Sequence, residues 1–221
     1  MFRFALPVIV LLAVAAVSSS SPRKDAVILP APVVDLSPQT KGEQTAVFAG
    51  GCFWGIQAVF QHVKGVVGAT SGYAGGDQKS AEYEIVSTGN TGHAESVKIV
   101  YDPSQITYGQ LLRVFFSVAH DPTQLNRQGP DEGSQYRSAI FYSSDDQKKV
   151  AEAYIAQLQK ANVFERPIVT SVNSLGKFYP AEAYHQNYAE RHPKDLYIVY
   201  NDAPKVSRLS EEFPDLYVAR P

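Results

Sequence analysis

Gly50-Gly51-Cys52-Phe53-Trp54-Gly55 sets the only cysteine and the only tryptophan of the chain side by side. The apolar run Ala46, Val47, Phe48, Ala49 before it reads as a buried strand. After it, Phe53, Ile56, Val59, Phe60 and Val63 recur at the spacing of one helix face. The sulfur therefore sits where a strand hands over to a helix. Backbone amides and the positive end of the helix dipole converge there, and both favour thiolate over thiol. Two aromatic rings beside it offer an apolar wall. An inert buried thiol is the alternative, because free cysteines are among the most buried residues.

The remaining pattern predicts further elements. Val66 to Tyr73 reads as a strand, and the Gly-, Ser- and Asn-rich stretch from Ala74 to Thr91 as a long loop. Ser96 to Tyr101 alternates polar and apolar residues and predicts a strand closed by Asp102-Pro103. Thr107-x-x-Gln110 predicts a capping box for a helix carrying Leu111, Leu112, Phe115 and Val118. His120 to Gln135 reads as a loop and Ser138 to Tyr142 as a strand. Ser144-x-x-Gln147 opens a helix to about Ala161, Ile168 to Val172 is a strand, and Ala181 to His192 is a helix stopped by Pro193. This order predicts an α+β fold: a two-layer sandwich of the ferredoxin-like type, with helices packed on a mixed sheet.

The first residues have a different character. Arg3 followed by an apolar run from Ala5 to Val17 and the small residues Ala16-Val17-Ser18 reads as a secretory signal peptide over residues 1–18. The run is shorter than the roughly 20 residues of a membrane-spanning helix, which makes an uncleaved anchor the weaker alternative. Residues 19–44, with Pro22, Pro30, Pro32 and Pro38, read as a flexible leader. The catalytic domain is expected over 45–203, with 204–221 as its tail. Export is the localisation that follows, and a monomer is the default state.

A formal net charge of -2 gives no basic footprint for nucleic acid. A single cysteine excludes an internal disulfide and any multi-cysteine zinc site. His62, His93, His120, His185 and His192 form no HExxH pair, and no P-loop or dinucleotide fingerprint is present, so neither a metal nor a bound cofactor is expected.

A second cluster surrounds Glu95, in Gly92-His93-Ala94-Glu95-Ser96. It reads either as a solvated strand-end carboxylate or as a carboxyl kept protonated in an apolar pocket to act as a general acid. Tyr83 lies in the preceding loop; Asp131, Gln135 and Tyr136 lie in the later one.

Gly-Cys52-Phe-Trp-Gly, Thr91-Gly-His-Ala-Glu95, Gln135-Tyr-Arg-Ser138 and Tyr184-His-Gln-Asn-Tyr188, in this order, resemble the A-type peptide methionine sulfoxide reductases. The stretch from Tyr197 to Val206 and Phe213-Pro214 are similar to tails in that family, so the likeness spans about Thr45 to Phe213. The resemblance implies reduction of the S epimer of methionine sulfoxide, free or in oxidised proteins and peptides. It implies Cys52 as nucleophile and Glu95 as proton donor. Tyr83 and Tyr136 would be hydrogen-bond donors to the sulfoxide oxygen. Phe53 and Trp54 would enclose the S-methyl group, and Asp131 would orient the substrate or the tyrosines. Many relatives carry further cysteines that resolve the sulfenic acid internally. This chain has none, so an outside thiol must do so: glutathione, or a glutaredoxin-like or thioredoxin-like protein.

Two other readings are of a different class. His185 and Asn187 follow Cys52 at about the separation of a papain-like peptidase. Yet the local Cys-Gly-Ser-Cys-Trp signature is absent, and two residues two apart on a helix diverge. His185 therefore reads as helix surface or packing. The remaining alternative is a non-catalytic module that binds methionine sulfoxide.

Overall fold

The computed structural model describes residues 29–37 and 42–219. The expected signal peptide lies outside these residues. Along the chain run β1 (Gln44–Ala49), α1 (Phe53–Gln61), β2 (Val66–Ala74), α2 (Tyr83–Val86), β3 (Ala94–Tyr101), α3 (Tyr108–Val114), β4 (Arg127–Gln128), β5 (Asp131–Glu132), β6 (Ala139–Tyr142), α4 (Asp145–Lys160), β7 (Ser171–Ser174), β8 (Phe178–Pro180), α5 (Tyr188–Arg191) and α6 (Ala203–Glu212).

Six strands form one mixed sheet in the order β7-β6-β1-β3-β2-β8. All neighbours are antiparallel except the parallel pair β6–β7. The inner four, β6-β1-β3-β2, are joined through α1 and α3 in the split βαβ manner expected from the sequence. Phe48 on β1, Ile56, Val59 and Phe60 on α1, and Leu111, Leu112 and Phe115 build the main core between sheet and helices. Phe48 stacks on Phe115 with ring centroids 4.9 Å apart. The opposite face of the sheet carries a smaller cluster of Val47, Ala49, Ala74, Ala94, Ala139 and Phe141.

The capping signals are realised. The Thr107 side chain accepts from the Gln110 amide while the Gln110 side chain reaches back to the Thr107 amide, and Ser144 accepts from the Gln147 amide. Both long loops carry short structure: α2 lies in the first, and the β4–β5 hairpin in the second. The last strand of the sheet's β6 side runs over Ser171–Ser174 rather than over 168–172, because its partner β6 fixes the register.

The helix expected from Ala181 to His192 is not continuous. Asn187 adopts a left-handed backbone, with φ of 56°, and splits it into a short 3-10 turn and α5. The local cost is met by long-range bonds: the Asn187 amide donates to Gln57 Oε1, and Gln61 Nε2 donates to Asn187 Oδ1. Gln186 ties the same segment to β2, accepting from the Ser71 amide and donating to the Ser71 carbonyl.

The expected tail contains α6, which packs against α1 with Leu209 and Phe213 buried. With the sheet on one side and this segment on the other, α1 is buried almost all round, from Phe53 to Phe60.

Residues 29–37 correct the expectation of a flexible leader over 19–44. Leu29 is buried, and its carbonyl accepts from Arg113 Nε. The Tyr154 hydroxyl donates to the Pro30 carbonyl, and Gln157 brackets the chain at Ala31 and Val33. Asp35 accepts from the Gly109 amide and the Thr107 hydroxyl at the start of α3. Proline-imposed extension leaves these carbonyls free for side chains of α3 and α4. Leu29→Ala is expected to lower stability by about 2 kcal/mol, read as a shift in urea midpoint with an unchanged slope. A midpoint equal to wild type would show that this segment contributes no burial.

Candidate active site

The turn that carries Cys52 is shaped by what its two glycines must avoid. Gly51 has φ of 94°, and a Cβ there would fall 2.5 Å from the Gln128 side chain; one at Gly50 would fall 2.8 Å from the His120 ring. The turn is thereby pressed onto the loop that contains β4. Cys52 takes the N-cap position of α1 in an extended conformation (φ -54°, ψ 126°), and the Trp54 amide is turned toward its sulfur. It is buried, 8% exposed.

Glu95 projects from β3 to the same point. Its Oε2 accepts from the Phe53 amide at 3.0 Å, and the residue is only 3% exposed. The solvated strand-end alternative is therefore excluded. Burial pushes the Glu95 carboxyl up to about 8, opposed by the Phe53 amide and aided by the negative charges of Asp131 and Asp202. At neutral pH it is largely an uncharged acid.

Burial also raises the Cys52 thiol, with Glu95 and Asp202 adding to it; the Trp54 amide and Lys205 work in the other direction. This corrects the expectation that the helix start alone would favour the thiolate. One amide and a dipole end do not outweigh the loss of water in the free protein.

Tyr83 and Tyr136 both bear on this pocket. Each is raised first by burial and next by the Glu95 charge, and both are coupled to Cys52. Their hydroxyls stay protonated and able to donate. Tyr83 is anchored through its amide to Glu182 Oε1 at 2.9 Å. Asp131, on β5, accepts the hydroxyl of Tyr197. It thus orients a tyrosine, though not one of the two expected.

Phe53 and Trp54 divide their tasks. The Phe53 ring is fully buried, 5.9 Å from Tyr73 and 5.0 Å from His185, and forms the floor of the site. The Trp54 indole is partly exposed, stacked on Tyr188 at 3.7 Å and met edge-on by Tyr197 at 5.9 Å.

His185 is 2% exposed, which corrects its reading as helix surface and confirms the packing alternative. Its Nδ1 accepts from Trp54 Nε1 at 3.2 Å, while Nε2 faces Glu182 at 4.0 Å. Burial lowers its pKa, so it stays neutral. Both nitrogens are directed away from a triad role, and Asn187 faces Gln61. The peptidase arrangement is not formed.

Sequence reasoning missed Tyr197, Asp202 and Lys205 as members of this site. In the sequence, Tyr197 to Val206 reads only as a tail; Tyr197 comes to the site by meeting Trp54 edge-on, and Asp202 and Lys205 by lying against Gly55 of α1. Among the described residues, no group of three or more His, Cys, Asp or Glu is placed to hold a metal ion.

The family model "Peptide methionine sulfoxide reductase" matches residues 44–216. The chain is 61% identical over 180 residues to "Peptide methionine sulfoxide reductase MsrA 2" of Mesorhizobium japonicum, covering 81% of this chain and 92% of that protein. It is 51% identical over 191 residues to the protein of the same name from Synechocystis, covering 85% and 89%. The crystal structure of Mxr1 from Saccharomyces cerevisiae in reduced form superposes with a TM-score of 0.63 at 33% identity, covering 69% of this chain and 87% of that one.

The raised Glu95 carboxyl makes stability depend on pH. It keeps its proton longer folded than unfolded, so stability falls as pH rises from the ordinary carboxylate range to about 8. His120, pushed down to about 4 by burial, acts in the opposite sense, but only below its ordinary value of 6.5. Between pH 6.5 and 8, wild type is expected to lose about 2 kcal/mol relative to Glu95→Gln, measured by urea unfolding. Parallel pH profiles for the two proteins would place the Glu95 carboxyl in its ordinary range.

Proposed function

As the chain belongs to the peptide methionine sulfoxide reductase family, and to its A-type, we propose that Cys52, Glu95, Tyr83 and Tyr136 carry out its reaction. The single observation behind this reading is the clasp at the start of α1. There a buried, protonated Glu95 shares the helix end with the sole thiol of the chain.

The reaction moves one oxygen. The Cys52 thiol plus sulfoxide gives the Cys52 sulfenic acid plus methionine thioether. Cysteine sulfur is oxidised by two electrons and the substrate sulfur is reduced by two. The thiolate is the attacking form. A sulfoxide oxygen that accepts hydrogen bonds from Tyr83 and Tyr136 draws electrons off its sulfur, making that sulfur electrophilic. Glu95 then supplies the proton that the oxygen takes up as negative charge gathers on it. Trp54 offers the partly exposed apolar wall for the S-methyl group, with Phe53 beneath it.

Regeneration uses an outside thiol. One thiol attacks the sulfenic sulfur, releasing water and leaving a mixed disulfide. A second thiol displaces Cys52 as thiolate. The sole cysteine supports this reading, since no partner for an internal disulfide exists in the chain. A thioredoxin-like or glutaredoxin-like protein and glutathione all have the required chemistry. Export is part of the proposal, supported by the apolar run from Ala5 to Val17, as is action on oxidised proteins by a monomer.

Cys52→Ser is expected to abolish reduction. Reduced wild type should yield one methionine per protein in a single turnover without added thiol, with the sulfenic acid trapped by dimedone. Methionine release without a Cys52 adduct would overturn the assignment. Tyr136→Phe should lower kcat by about 10²-fold with KM little changed. An unchanged kcat would remove that hydroxyl from the mechanism.

A further inference from the structure

The C-terminal segment brings a charged pair to the site that the chemistry above leaves unused. Lys205 Nζ lies 3.0 Å from Asp202 Oδ1, and their side chains are 12% and 0% exposed. The pair sits against the first turn of α1. A Cβ at Gly55 would fall 2.1 Å from Asp202 Oδ1 and 2.7 Å from Lys205 Nζ. Glycine weakens a helix interior, so its presence three residues after Cys52 is explained by the space the pair occupies. The second oxygen of Asp202 has no hydrogen-bond partner among the described residues.

The groups facing Cys52 come from several elements. Glu95 comes from β3, Asp131 from β5, and Asp202 and Lys205 from the end of the chain. Tyr83, Tyr136, Tyr188 and Tyr197 complete the ring, with His185 behind Phe53 and His120 behind Gly50. The acids oppose ionisation of the sulfur. The cation in this cluster is Lys205.

We propose that Lys205 is a positioning residue for sulfoxide reduction: held by Asp202 in the gap left by Gly55, its ammonium stabilises the Cys52 thiolate across the first turn of α1. Asp202 fixes the ammonium in place at the cost of part of its field. The pair therefore acts in opposite senses on one sulfur. This rests on the reading of Cys52 as the nucleophile.

The test is the pH dependence of Cys52 alkylation by iodoacetamide in the full chain without sulfoxide, with thermal midpoints recorded alongside. Lys205→Met should move the alkylation midpoint up by about one pH unit, slowing the reaction at pH 7 about tenfold. Asp202→Asn should move it down, and Lys205→Arg should keep the wild-type midpoint. A packing role alone would not move the two charge-removing variants in opposite directions. Midpoints that coincide with wild type, or that shift together, overturn the proposal. If Lys205→Met fails to fold, Lys205→Gln decides: an upward shift supports the proposal and a wild-type midpoint overturns it. Alkylation is separate from turnover, so a failed prediction here leaves the Cys52→Ser result to judge the nucleophile.

Discussion

The start of α1 holds the site together through one hydrogen bond, from the Phe53 amide to Glu95 Oε2, made where water is excluded. A helix start has orphan amides that need acceptors. Glu95 on β3 supplies one from the neighbouring layer, so the first turn is fixed by the sheet rather than by its own cap. The same enclosure keeps the carboxyl uncharged, because an unpaired carboxylate there would lose its hydration. Structure and acid chemistry therefore come from a single burial. The cost falls on the thiol, which the same dryness holds protonated.

The C-terminal third of the chain closes the opposite side. Gln186 and Asn187 bolt their segment to β2 and α1 through side-chain amides. That places His185 under Trp54 and Tyr188 over it, so the indole is held from two directions. Glu182 joins the Tyr73 hydroxyl to the Tyr83 amide, which sets the loop carrying Tyr83 against the sheet. The aromatic wall is thus braced by polar residues whose partners lie mostly far along the chain, with the Gln186 bond to the Ala181 carbonyl and the Glu182–His185 pair as local additions.

Legibility in the sequence followed the range of the interactions. The glycine turn, the Thr107–Gln110 capping box and the Ser144 cap are local, and they were readable from a few neighbouring letters. The break at Asn187 was not, since a left-handed asparagine is chosen here by Gln57 and Gln61 from another element. The docking of Leu29 to Asp35 escaped for the same reason: its proline-rich composition matches a linker, while its acceptors serve α3 and α4. Lys205 belongs to the site because α6 packs on α1, and Tyr197 because its ring meets Trp54 edge-on; neither contact has a local signature.

Residue order alone settled that the single thiol stands at a strand-to-helix turn with two rings beside it, and that no second thiol in the chain can resolve it. Folding settled the protonation states. Glu95 is an acid rather than a carboxylate, His185 a neutral brace rather than a base, and Asp202 a sealed partner of Lys205. A proton's affinity for a side chain depends on the water and charge around it, and those are set by which distant segments close over the site.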